Sequence, residues 1–158
     1  MNSIPTVTKN LLIINVLCFF GGVVAMKYGI DLNDLLGLHF FMASDFNPAQ
    51  LITYMFMHAG ILHILFNMLW LYWFGSLFLY FFSGKHLRGL YVLGGICGGL
   101  FYMIAYNIFP YFSQTLPFST LVGASASVLA IVAATAYREP HYRVQLFLFG
   151  AVRLKYLA

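Results

Sequence analysis

The sequence predicts an all-α fold, a polytopic bundle of membrane helices, and three observations carry that expectation. Charged residues make up 8% of the 158 residues and hydrophobic ones 62%. A soluble domain carries about 25% charged residues, so this chain has too little polar surface to enclose a core of its size. No Asp, Glu, Lys or Arg occurs between Asp45 and Lys85, nor between Arg88 and Arg138. Each stretch outruns the roughly 20 residues that cross a hydrocarbon core. The third observation is the placement of the cations. With the amino terminus inside, Lys9, Lys85, Arg88, Arg138, Arg143, Arg153 and Lys155 share the cytoplasmic side, and only Lys27 lies outside. A soluble enzyme, a disordered tail and a disulfide scaffold are excluded. A nucleic-acid partner is not expected either, because the net charge of +4 reads as membrane orientation in so apolar a chain.

Four spans follow in order. The first covers about residues 10–28, between Lys9 and the acidic loop. That loop, residues 29–50, holds Asp31, Asp34, Asp45 and the breaker Pro48. Gly60 opens a second span over residues 60–81, and the Ser83-Gly84-Lys85 turn leads to a third over 86–107. Pro110 and Pro117 bracket the next loop, a fourth span runs over 121–137, and Glu139-Pro140 stops it. The tail from His141 alternates basic and apolar residues and reads as a cytoplasmic linker entering another helix. The chain is expected to be one membrane domain, residues 1–158, incomplete at its C-terminus and embedded in a lipid bilayer. Cys18 and Cys97 fall inside spans and behave as small apolar groups; no metal site and no cofactor are expected.

Polar groups inside spans are costly and mark function by default. His63 and Asn67 are spaced four apart and share a helix face. His58, just before Gly60, is expected near the outer boundary within reach of water, and to diverge from His63 on a helix. Taken alone, the pair serves equally as interhelical hydrogen-bonding groups. The glycines Gly94, Gly95, Gly98 and Gly99 form interleaved small-xxx-small pairs, and Gly123, Ser127, Ala130 and Ala134 give the fourth helix a narrow side. The two helices are expected to touch there. Ser125 stands in the first turn of the fourth helix among Gly and Ala, where free N–H groups can stabilise an anion. Its bland reading is a helix cap. Together, a hydroxyl, imidazoles and an amide at one depth are an inventory for acyl transfer.

The segment His58-Ala-Gly-Ile-Leu-His63-Ile-Leu-Phe-Asn67, with Gly75 beyond it and Gly123-Ala124-Ser125 later, resembles the rhomboid family of intramembrane serine proteases. The resemblance implies six helices, of which this chain would hold about four. It implies Ser125 as nucleophile, with His63, Asn67 and the Ser125 N–H as the oxyanion site and His58 and Gly123 in support. The substrates would be transmembrane proteins cut near the extracytoplasmic face of a cell membrane, bacterial by expectation. The family's base is a His on the sixth helix. After Ser125 this chain holds only His141, a full span away, so the isolated chain is expected to be inactive. Ala126 stands where the family has Gly, and Leu129 where relatives carry an aromatic ring. The first loop has no Trp-Arg pair, and there is no Glu near residues 79–80. Two other readings remain: a catalytically dead adaptor that holds single-span proteins, and a proton relay through His58 and His63, which has no carboxylate in any span. The sequence leaves the oligomeric state unknown.

Overall fold

The computed structural model describes residues 4–109, 119–146 and 150–157. Helix α1 runs over Thr6–Met26, α4 over Ile61–Phe81 and α5 over Gly84–Ile108. These three are long and apolar enough to cross a membrane. Between α1 and α4 lie a short helix α2 (Leu32–Leu36), a two-residue strand β1 (Leu38–His39), the single turn α3 (Gln50–Thr53) and a 3₁₀ turn at Tyr54–Phe56. Strand β2 (Thr120–Leu121) leads into α6 (Ser125–Arg138), and the tail forms β3 (Arg143–Leu146) and β4 (Gly150–Arg153). Pro110 and Pro117, expected to bracket a loop, lie outside the described residues.

The first helix starts earlier than expected, at Thr6, because Pro5 suits a helix entrance and Lys9 is accommodated within the first turns. Its polar residues Thr8 and Asn15 are fully buried. Thr8 packs on Gly75 of α4, where an added Cβ would meet its side chain at 3.2 Å. Asn15 Nδ2 donates to the Tyr91 hydroxyl of α5 at 3.0 Å and to Leu11 O at 2.8 Å. In an apolar surrounding such bonds fix how α1 is rotated, because unpaired polar groups there are costly.

Helix α6 packs against both α4 and α5, with Ile131 and Val132 at 0% exposure. Its 14 residues reach about 21 Å at about 1.5 Å per residue, short of the ~30 Å hydrocarbon core. The expected fourth span over 121–137 is therefore corrected: Thr120 and Leu121 belong to β2, paired antiparallel with His39 and Leu38, and the helix starts at Ser125. The expected contact between the third and fourth helices is present. A Cβ on Gly94 would collide with Ala130 Cβ, and one on Gly98 with Ala126 Cβ.

The tail is a second correction. Instead of a linker entering a helix, Arg143–Leu146 pairs antiparallel with Gly150–Arg153. The alternation that suggested a linker is the period-two pattern of a strand. The first loop is more ordered than its composition implies. The buried Gln50 side chain accepts from His39 N at 3.3 Å and Asn47 N at 3.1 Å, and donates to Leu35 O at 3.3 Å and Asp45 O at 2.9 Å. Asp31 caps α2 through Asn33 N at 2.8 Å.

Candidate functional site

The site lies where α4 and α6 begin, at the same end of the bundle. His63, Asn67 and Ser125 line one cavity of about 410 Å³, closed on its apolar side by Phe66, Trp70 and Leu129. Helix spacing stacks His63 and Asn67 on one face, as the sequence predicts. Ser125 is exposed in the first turn of α6. Val128 N bonds to Ala124 O at 2.9 Å. The earlier first-turn N–H groups, of Ser125, Ala126 and Ser127, have no acceptor among the described residues. Such groups carry the positive end of the helix dipole.

Hydrogen bonds define what each side chain can offer. Asn67 Nδ2 donates to His63 O at 2.9 Å. That carbonyl can only accept, so the amide orientation follows, and one Nδ2–H is left for the cavity. Ala59 N donates to His63 Nδ1 at 3.4 Å. Nδ1 is then the unprotonated nitrogen and Nε2 carries the hydrogen. The His63 ring lies over Gly123, where a Cβ would come within 2.7 Å of Nε2 and Cε1. Gly123 also has φ +118°, a conformation open to glycine and strained for other residues. Gly123 therefore has two independent reasons to lack a side chain.

Tyr54 fastens this turn to the bundle, and nothing in the sequence marked it. Its carbonyl accepts from Gly123 N at 2.9 Å, and its buried hydroxyl donates to Gly95 O at 2.6 Å. The glycines of α5 make room for it: a Cβ on Gly98 would lie 3.1 Å from the Tyr54 hydroxyl. Ala126, where the resemblance expected Gly, turns its methyl towards Gly98 rather than into the cavity. Tyr54→Phe removes one buried hydrogen bond and should lower stability by about 1 kcal/mol; SDS-titrated unfolding of the purified protein measures it.

His58 is corrected on two counts. It is 2% exposed rather than at the water boundary. It also meets His63 rather than diverging, with ring centroids 5.2 Å apart edge to face. Gly60 is the extended residue before α4, so His58 sits off the helix and folds back along it. Its Nδ1 lies 3.3 Å from Phe56 O, Nε2 has no partner among the described residues, and its carbonyl accepts from Asn33 Nδ2 at 3.3 Å. No group of three or more His, Cys, Asp or Glu gathers among the described residues. Burial, and then the neighbouring His63, push the His58 imidazole down to about 4 from an ordinary 6.5. Between those values the unfolded chain takes up a proton that the folded one refuses. The stability His58 provides is thus complete above about 6.5 and is lost as pH falls towards 4. Thermal unfolding in detergent should show a steeper loss from pH 7 to 5 in the wild type than in His58→Gln.

Three long apolar helices, with a shorter one packed against two of them, define an integral membrane protein of helical-bundle type. The Rhomboid domain family model matches residues 46–158, most of the chain, and the protein belongs to the rhomboid family. No curated protein and no solved structure matches the chain.

Proposed function

We propose that this chain, as one membrane domain, carries the proteolytic site of a rhomboid intramembrane serine protease that cleaves transmembrane proteins near their extracytoplasmic ends. The observation that supports it is the shared cavity of Ser125, His63 and Asn67 beside unpaired first-turn N–H groups. Ser125 Oγ attacks the scissile carbonyl carbon, giving up its proton to a base. The resulting oxyanion is held by the Ser125 N–H, His63 Nε2–H and the free Asn67 Nδ2–H. The C–N bond then breaks, the amine leaves with a proton, and water hydrolyses the acyl-enzyme. Substrate helices must expose their backbone to be cut, so helix-breaking residues near the bond favour cleavage.

His63 is a donor here rather than the base, because its Nδ1 is already occupied by Ala59 N–H. His141 follows the far end of α6, and His86 bonds Ser83 at the start of α5. In the family the proton goes to a His on the sixth helix, and no other imidazole of this chain stands in for it. The 158-residue chain alone is therefore expected to turn over no substrate. The cations Lys9, Lys85, Arg88, Arg138, Arg143, Arg153 and Lys155 support a cytoplasmic amino terminus, with the site opening to the extracytoplasmic side of a bacterial cell membrane.

Ala126 and Leu129, standing where the family has Gly and an aromatic ring, favour one second reading, a non-cleaving adaptor that holds single-span proteins in the same groove. Fluorophosphonate labelling of the protein in its native membrane, with its intact mass, separates them. Labelling that vanishes in Ser125→Ala supports the protease. An unlabelled Ser125 in protein of native mass makes the adaptor the better reading.

A further inference from the structure

At the end of the bundle opposite Ser125, a second cavity of about 270 Å³ opens between the last turns of α4 and the tail hairpin. Tyr72, Trp73, Ser76, Tyr80, Tyr142 and Arg143 line it. The Ser76 hydroxyl is buried and has no partner among the described residues. Arg143 stands directly opposite Arg153 in the hairpin register, and opposite residues of an antiparallel pair project on one face. Two like charges so placed repel each other. The one ion pair among the described residues joins His39 to Asp34, so neither guanidinium has a carboxylate beside it. Lys85 and Arg88 at the start of α5, and Arg138 at the end of α6, belong to the same end.

The position is that of a membrane interface. The 21 residues of α4 span about 30 Å, close to the hydrocarbon thickness. Tyr80 is then at headgroup level and Ser76 one turn inside it. Tyr and Trp sit at that depth in membrane proteins, with an apolar body and a wet end. Arg143, an orphaned hydroxyl and an aromatic wall line one cavity, Arg153 stands across the ladder on the same face of the hairpin as Arg143, and a phosphate group answers all of them. It accepts from both guanidinium groups and from the hydroxyl, and acyl chains extend along the aromatic face.

We propose that this cavity binds the phosphate of an anionic phospholipid headgroup, distinct from the Ser125 cavity and independent of any proteolytic activity. The phosphate removes the Arg143–Arg153 repulsion and thereby holds the hairpin against α4.

Trp73 lines the cavity and reports on it. The whole chain is reconstituted as the Trp70→Phe variant, leaving Trp73 as the only indole, in vesicles of brominated phosphatidylglycerol or brominated phosphatidylcholine. Quenching should favour phosphatidylglycerol, and the preference should fall about fivefold for each arginine removed in Arg143→Gln and Arg153→Gln. Equal quenching by the two lipids overturns the proposal, as does a preference that survives both substitutions. Ser76→Ala leaves the charge unchanged and should reduce the preference less than either arginine variant, which guards against a hairpin that fails to form. Inorganic phosphate at matched ionic strength distinguishes the source of the anion. If it abolishes the preference, the site takes the free ion and the lipid assignment fails; if it leaves the preference intact, the lipid is the ligand. None of these readouts depends on Ser125.

Discussion

Asn67→Ala should lower kcat by about 10²–10³ while leaving KM nearly unchanged, measured on the protein extracted from its own membrane with a transmembrane substrate. The reason is geometric. Asn67 spends one Nδ2–H on His63 O, which holds the amide still, and aims the other into the cavity beside Ser125. An oxyanion exists only after attack, so a donor that meets it stabilises the transition state and adds little to substrate binding. Asn67→Asp keeps the shape but presents an acceptor where a donor is required, and should be no better than Asn67→Ala. Wild-type turnover in either variant would remove Asn67 from the oxyanion site. A rise in KM with unchanged kcat would make it a substrate-binding residue instead.

In the protein extracted from its own membrane, Gly123→Ala should lose more than tenfold in turnover and about 1–3 kcal/mol in stability. Two physical effects combine there. The backbone at φ +118° strains any residue with a Cβ, and that Cβ would lie 2.7 Å from the His63 ring. Gly29 provides the control, because it has φ +78° with nothing within 4 Å of an added Cβ. Gly29→Ala should show the strain in unfolding experiments and keep full turnover. If both variants lose stability and neither loses turnover, the His63 ring does not act in the reaction.

Much of the fold was legible because a hydrocarbon environment permits few alternatives. A run without charge must be helical to satisfy its own backbone, so the spans ending at Phe81 and starting near Lys85 could be read to within a few residues. The glycines of α5 were legible for a similar reason, since small-xxx-small spacing on an apolar helix leaves room mainly for another helix. Tyr54 was not legible. Its role depends on a carbonyl and a hydroxyl that reach two elements distant in the chain, Gly123 and Gly95. A tyrosine in an aromatic-rich chain carries no pattern that marks it. Gln50 escaped notice likewise, although its side chain ties together residues 35–47 of the first loop.

His58 marks the limit of arguments from spacing. Five residues from His63, it would diverge on a continuous helix, but the chain is extended at Gly60 and the two rings meet. The tail was misjudged because an alternation of cations and apolar residues suits a linker and a strand equally, and only the pairing of Arg143–Leu146 with Gly150–Arg153 distinguishes them. By itself, then, the sequence determined the membrane class, the order of the apolar helices and the residue types that meet at the site. These follow from local composition and helical period, which do not depend on distant parts of the chain. Only the tertiary structure decided where α6 begins, which nitrogen of His63 carries the proton, and that Tyr54 and Gly123 hold the turn before Ser125. Each of those depends on contacts between residues far apart in sequence, which periodicity cannot encode.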